Sequence, residues 1–301
     1  MLRIIGAIFL SFLFISQTLA AENDTWTDMF VKKEFEAALK NTEGMGSESA
    51  ISIRGWSLFM LDRYGESLAT FKLLEEKSEY NFDGRLGIAW CSIKLGQYDT
   101  AEEYLDKADY TAKDWQRRMV YDARGWLALN KGNFEEADDL FLTENRVYPK
   151  GVKSTGDASV GRGWISVRTG DWEEAEKLFK RGLKRNKECY FCLDGLARAA
   201  LAREDYDEAL KLAIEGLDIS YSNSGLQGIV GTALAYINDA ERSYQTYNDL
   251  ISKFPDVSTF QSSLGYVYLA KSDLEKAESA FRKALEINNT DPLARAGIGA
   301  L

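Results

Sequence analysis

Cys189-Tyr190-Phe191-Cys192 carries more potential chemistry than any other stretch of the chain. Thiols spaced by two residues can close into a disulfide in an oxidising compartment. At a helix start they can also be activated, because the positive end of the helix lowers a thiol's pKa below about 8.5. Three uses stay open: a disulfide, free thiols or a weak metal site, and a redox pair. Two cysteines are too few for a structural zinc, which takes about four ligands, so no metal is expected. A redox pair wants a βαβ setting, which the surrounding pattern lacks. Cys91 sits at a core-like place on a helix and reads as a buried free thiol.

The chain has no histidine. That removes Ser-His-Asp and Cys-His catalysis, His-ligated metals and c-type haem attachment together. Gly151-Val152-Lys153-Ser154-Thr155-Gly156 has the residue types of a phosphate loop. Such a loop needs Gly directly before Lys and a strand leading into it. Val152 holds that place among helical surroundings, so the stretch reads as a flexible insert. The acid pairs Glu102-Glu103, Glu135-Glu136 and Glu173-Glu174 recur at one place of a repeating pattern. They read as helix N-terminal acids favoured by the macrodipole, not as a glycosidase pair. No catalytic residue and no cofactor is expected.

The elements that hold these residues are helical. Of 301 residues, 45% are hydrophobic, 28% charged and only 3 are proline, a globular composition unlike that of a loop-rich all-β chain. Lys and Arg number 37 against 47 Asp and Glu, a net charge of −10 with no strong basic block. Phosphate backbones are poor partners for such a surface, and no nucleic acid is expected. Residues 1–20 read as a secretory signal peptide. Arg3 supplies the charge, Ile4 to Ile15 the apolar core, and Thr18 and Ala20 the small residues of the cleavage site. That core is shorter than the roughly 20 residues a membrane span needs, and no later segment is long and apolar enough. The mature protein is therefore expected to be exported, to a bacterial periplasm.

A repeat dominates the rest. Small residues recur at Gly55, Ala89, Gly125, Gly163, Ala197, Gly231, Gly265 and Gly299, at intervals of 34, 36, 38, 34, 34, 34 and 34 residues. Nine residues after the small one stands Tyr64, Tyr98, Phe134, Trp172 or Tyr206, with Ala240 and Leu274 breaking the rule. Three further on is Ser67, Ala101, Ala137, Ala175, Ala209, Ser243 or Ala277, and four beyond that Phe71, Leu105, Phe141, Phe179, Ala213, Tyr247 or Phe281. Close helix crossings want Gly or Ala at the contact, with large side chains a turn away filling the space around it. Pairs such as Gly96-Gln97, Gly132-Asn133 and Gly170-Asp171 end one helix and start the next. Pro149 and Pro255 fall where second helices should end.

This pattern resembles the tetratricopeptide repeat, a helix–turn–helix with spaced Gly, Tyr, Ala, Phe and Pro. The resemblance runs from about Ser47 to the end of the chain, and implies an all-α, right-handed solenoid of about seven repeats. The expected organisation is 1–20 signal peptide, 21–46 cover helix and linker, 47–291 repeat array, and 292–301 either a short cap or the start of a further repeat. Thr25 to Leu39 reads as one amphipathic cover helix, with Thr25 as N-cap and Asp28 completing a capping pair. The two long intervals imply extensions near Tyr110–Met119 and Pro149–Asp157.

Trp56, Trp90, Trp126 and Trp164 each follow the small residue of four consecutive units. By helical spacing Trp56 shares a face with Ser52 and Phe59, and Trp126 with Asp122. The resemblance puts this face on the inner wall of a concave groove. The indoles are then either a ligand-contacting ladder or packing that replaces the missing first-helix Tyr. Arg198, Thr232 and Tyr266 take the same place in later units, and Asp194 pairs with Arg198. The resemblance implies a scaffold that does no chemistry and binds an unidentified protein partner or extended peptide in the groove. Family members that clamp a C-terminal carboxylate place Lys and Asn at sites where this chain has Ser52, Trp56, Asp122 and Trp126, so that mode does not fit. A glycan-binding module of an exopolysaccharide-export assembly, with polysaccharide on flat indole faces, and a thiol-redox partner acting through Cys189 and Cys192 are the alternatives.

Overall fold

The structure, a computed structural model, describes residues 29–30, 34–114, 116–146, 157–221 and 223–301. The signal peptide, Thr25, Asp28, Pro149 and the Gly151–Gly156 stretch lie outside the described residues. A short helix α1 (Phe35–Asn41) precedes seven helix pairs. The pairs are α2 (Glu48–Met60) with α3 (Tyr64–Lys77), α4 (Phe82–Leu95) with α5 (Tyr98–Thr111), α6 (Arg117–Lys131) with α7 (Phe134–Arg146), and α8 (Asp157–Thr169) with α9 (Trp172–Arg185). They continue as α10 (Tyr190–Ala202) with α11 (Tyr206–Ile219), α12 (Ser224–Ile237) with α13 (Ala240–Lys253), and α14 (Ser258–Ala270) with α15 (Leu274–Ile287). A final helix, α16 (Pro292–Gly299), follows. The fold is all-α and built of helix–turn–helix repeats. The chain divides into two compact units, Met1–Cys192 and Leu193–Leu301.

Local chemistry sets the helix ends. Asp171, Asp205, Asp239, Asp273 and Asp291 each accept a backbone N–H from the first turn of the helix they precede, as N-caps do. The turn inside every pair passes through left-handed backbone. Gly96, Gly132 and Gly170 supply it in three pairs, and Asp62, Glu204, Asn238 and Ser272 in the other four. In six of the pairs, the residue after this turn donates its N–H to a carbonyl five positions back, as Gln97 does to Ser92 and Asp205 to Ala200. These bonds satisfy carbonyls that the helix end leaves open.

In Met1–Cys192 the helices from α1 to α9 pack successively, in Leu193–Leu301 α11 packs on α12 and α13 to α16 pack successively, and first helices of neighbouring pairs touch, as α2 with α4 and α12 with α14. One ring organises this packing three times over. Phe71, Phe141 and Phe281 are fully buried. A Cβ on Gly55 would lie 2.7 Å from Phe71, and one on Gly87 would lie 2.5 Å from it. Gly125 and Gly161 stand in the same relation to Phe141, and Gly265 and Gly297 to Phe281. Each of these three rings is thus held between a glycine of its own first helix and a glycine of the next. Gly297 belongs to α16, so that helix docks as a first helix does.

The start of the array differs from the expected continuous cover helix. Met29 and Phe30 are helical, but Glu34 has φ −82° and ψ 60°, and α1 begins only at Phe35. Phe30 and Phe35 meet edge to face at 5.3 Å. Residues five apart on an unbroken helix point about 140° away from each other, so this contact needs the break. α1 packs on α2, and Arg54 of α2 donates to the Thr42 carbonyl at 2.7 Å just beyond α1.

Candidate functional site

The row of tryptophans is core. Trp56, Trp90, Trp126 and Trp164 are 1%, 2%, 0% and 2% exposed. Trp56 stands edge-on to Phe71 at 4.7 Å, Trp126 to Phe141 at 5.3 Å and Trp164 to Phe179 at 5.6 Å. Phe59 and Asp122, expected on the same wall, are buried as well. The reason is the small residue before each indole. It lets the second helix approach, and in three of the four units the large ring beside it turns inward to cover a phenylalanine, where edge-to-face packing is favourable. An exposed aromatic ladder is therefore not what these residues form, and no flat face of the four is open to a sugar ring.

The same register changes character in Leu193–Leu301. Arg198 of α10 is about one-third exposed, Thr232 of α12 is exposed and Tyr266 of α14 is 37% exposed. Arg198 Nε donates to Asp194 Oδ1 at 2.7 Å, one helical turn back. Asp194 is almost fully buried. Burial pushes its carboxyl above the usual range, while the Arg198 charge and hydrogen bond pull the other way. A Cβ on Gly225 would lie 3.1 Å from Arg198 Nη2, 3.1 Å from Asn223 Oδ1 and 3.2 Å from Asp194 Oδ2. Glycine there lets the start of α12 approach the ion pair. Asn223 is buried and caps α12 through the Leu226 N–H at 2.9 Å. The result is a fixed polar site with a guanidinium facing out. Tyr266 covers Phe281 edge-on at 5.1 Å, as the indoles cover their rings, yet keeps its hydroxyl at the surface, where it donates to the Leu293 carbonyl at 3.2 Å.

Cys189 and Cys192 are joined by a disulfide at the start of α10. Cys189 Sγ accepts the Cys192 N–H at 3.1 Å and so stands as the N-cap of that helix. Cys189 is half-buried and Cys192 fully buried, its sulfur pressed against Gly182, where a Cβ would lie 2.7 Å away. Between them, Phe191 packs near Trp126 and Trp164. Cys91 is buried beside Ser67, 3.2 Å from its hydroxyl, and burial pushes its thiol up to about 12.

Sequence reasoning missed the polar links between successive first helices. Ser52 Oγ donates to Asp83 Oδ2 at 3.0 Å, and burial raises the Asp83 carboxyl to about 6. Ser258 Oγ donates to Asp291 Oδ2 at 2.7 Å, while the other Asp291 oxygen caps α16. Arg85, also missed, is buried and donates to the carbonyls of Lys107 at 2.9 Å and Glu79 at 2.5 Å. Spacing alone gives no hint of these partners, since each joins residues more than a helical turn apart. Among the described residues, no cluster of three or more acidic or cysteine side chains is placed to hold a metal ion, and no helix is long and apolar enough to cross a membrane.

A family model of the tetratricopeptide repeat matches residues 123–188, 160–223 and 231–292, and a second such model matches 83–114. The chain belongs to the tetratricopeptide repeat family. One curated relative is heat shock protein STI1 of Saccharomyces cerevisiae, 30% identical over 107 residues, which cover 33% of this chain and 17% of that protein. The chain thus matches about one-sixth of that relative's length. Among solved structures, a thermophilic tetratricopeptide repeat protein of Thermus thermophilus superposes with a TM-score of 0.53 at 20% identity, over 63% of this chain and all of that one. The Cut9–Hcn1 hetero-tetramer of the APC/C gives a TM-score of 0.56 at 13% identity, over 95% of this chain and 58% of that one. These likenesses are of fold. Proteins of the tetratricopeptide repeat family are typically non-catalytic scaffolds for protein or peptide partners.

Proposed function

We propose that this chain is a non-enzymatic, exported scaffold that binds a protein partner, or an extended segment of one, on the first-helix face of Leu193–Leu301. The observation that carries the reading is the change of register. The place filled by buried indoles in four units is held by solvent-facing Arg198, Thr232 and Tyr266 in the next three. A surface that combines an aromatic, a guanidinium and small polar side chains suits a peptide, whose backbone and side chains offer both carbonyl acceptors and apolar contacts. Export, to a bacterial periplasm, is supported by the charged, apolar and small-residue order of residues 1–20, with the mature chain running through a cover segment, 21–46, into the array.

The test is selection of displayed peptides on the full mature chain, followed by binding of a converged peptide to Thr232→Arg. Thr232 is exposed and makes only a local bond to the Gly228 carbonyl, so the substitution leaves the fold intact. A converged peptide that binds Thr232→Arg about tenfold more weakly supports the reading. Failure of any peptide family to emerge overturns it.

A further inference from the structure

The geometry points to a slot between α12, α13 and α14 that takes one aromatic side chain of a bound polypeptide. It deepens the scaffold reading and rests on it. A cavity of about 400 Å³ lies there, its walls including Gly231, Ala240, Tyr247, Ser263, Tyr266 and Ala270. That size is within the roughly 300–1,000 Å³ of ligand pockets.

The cavity exists because two rings are missing. The residue nine after the small one is aromatic in five units and Ala240 here. In the unit before, that residue is Tyr206, and it stacks face to face on Tyr236 of the next first helix, with centroids 4.7 Å apart and planes within 5°. Tyr236 stands five residues after its small residue, and Ala270 holds that same place one unit later. Both members of the stacked pair are therefore alanine at this junction. One junction earlier that space, which opens to solvent, is filled by the partly exposed Tyr206–Tyr236 pair.

Its lining suits an aromatic guest. Gly231 leaves the floor open, since a Cβ there would meet nothing nearer than Tyr247 Oη at 3.8 Å. Tyr247 is buried with its hydroxyl facing Ser263, which keeps polar groups at depth for the hydroxyl of a tyrosine guest. Tyr266 stands at the mouth, partly exposed, and can meet a guest ring edge to face.

The probe is 4-methylphenol, the side chain of tyrosine, titrated into the full mature chain with amide chemical shifts as the readout. Saturable shifts confined to residues around Gly231, Ala240, Ser263 and Ala270 are expected, and 1-butanol at equal concentration should leave them unmoved. Ala240→Tyr restores the missing ring and should abolish the shifts. Ala235→Phe, from an exposed place on the rim, should also abolish them and guards against a folding defect in the first variant. Shifts that never saturate, or that persist in both variants, overturn the slot. Peptides selected on the chain should carry an aromatic residue and lose about tenfold in affinity on Ala240→Tyr. Peptides that bind Ala240→Tyr undiminished overturn the slot while leaving the scaffold reading intact. Absence of any selected peptide, with 4-methylphenol still saturating the slot, overturns the scaffold reading instead. A change in the sedimentation of the chain alone on Ala240→Tyr assigns the slot to a second copy and overturns the proposal.

Discussion

The Phe71 ring rests against Gly87 of the following first helix so closely that a Cβ there would lie 2.5 Å from it. Gly87→Ala must displace either the ring or the helix. Overpacking of this kind costs about 1–3 kcal/mol, and Phe71→Ala, which leaves a ring-sized void, about 3–5 kcal/mol. Urea denaturation of the two variants measures both, and a Gly87→Ala protein as stable as the parent contradicts the packing described.

Left-handed turns at Glu204 and Ser272 carry side chains where three other pairs use glycine. A left-handed residue with a Cβ costs about 1–2 kcal/mol, part of which glycine gives back in chain entropy. Glu204→Gly and Ser272→Gly should each stabilise the protein by about 0.5–1 kcal/mol, seen as a higher melting temperature.

Much of this architecture is readable from the residues. The small-residue register located every first helix, and the Gly-polar pairs located the turns at Gly96, Gly132 and Gly170. A second register accompanies the first and is evident only once the rings are seen to be shared between helices. Sixteen or more residues after each large ring comes a residue whose size answers it: Gly87 after Phe71, Gly161 after Phe141 and Gly297 after Phe281, but Ile229 after Ala213. Spacing could not decide which way the indoles turn, because a helix face that borders both a groove and a neighbouring helix serves either. The break at Glu34 was hidden because Phe30 and Phe35 suit a helix individually, and only their mutual contact demands the kink.

Asp83 gives the fold a pH dependence. Its carboxyl titrates near 6 in the folded protein and near 3.8 when free, so the folded state holds the proton more tightly. Its contribution is therefore most favourable below about pH 4, declines as pH rises to about 6, and is constant above that. The change should be about 1–2 kcal/mol, reduced because the residue is only half-buried. Asp83→Asn keeps an acceptor for Ser52, should remove this slope, and should be the more stable protein at pH 7. Stability curves between pH 4 and 7 test the sign.

Arg198→Ala leaves the Asp194 carboxylate buried without its charged partner. Breaking a buried pair costs about 3–5 kcal/mol, and the upper part of that range does not apply here because Arg198 is partly solvated. Asp194→Asn combined with Arg198→Gln should recover most of the loss, which a double-mutant cycle by chemical denaturation would show.

Cys91 should be silent to thiol reagents in the folded protein, since its thiol is buried and raised to about 12. Without reductant, titration with a thiol reagent should find no reactive cysteine in the native state and one after unfolding. A second and third appearing only after reduction would report the Cys189–Cys192 disulfide.

Acrylamide quenching of tryptophan fluorescence tests the change of register most directly. The protein to use carries Trp26, Trp115 and Trp172 as Phe, so that only Trp56, Trp90, Trp126 and Trp164 emit. With those four indoles in the core, emission should be blue-shifted and quenched several-fold more weakly than a free indole, and a selected peptide should not alter it. Strong quenching, or protection of the four indoles by the peptide, would place the binding face on the tryptophan row and contradict the account.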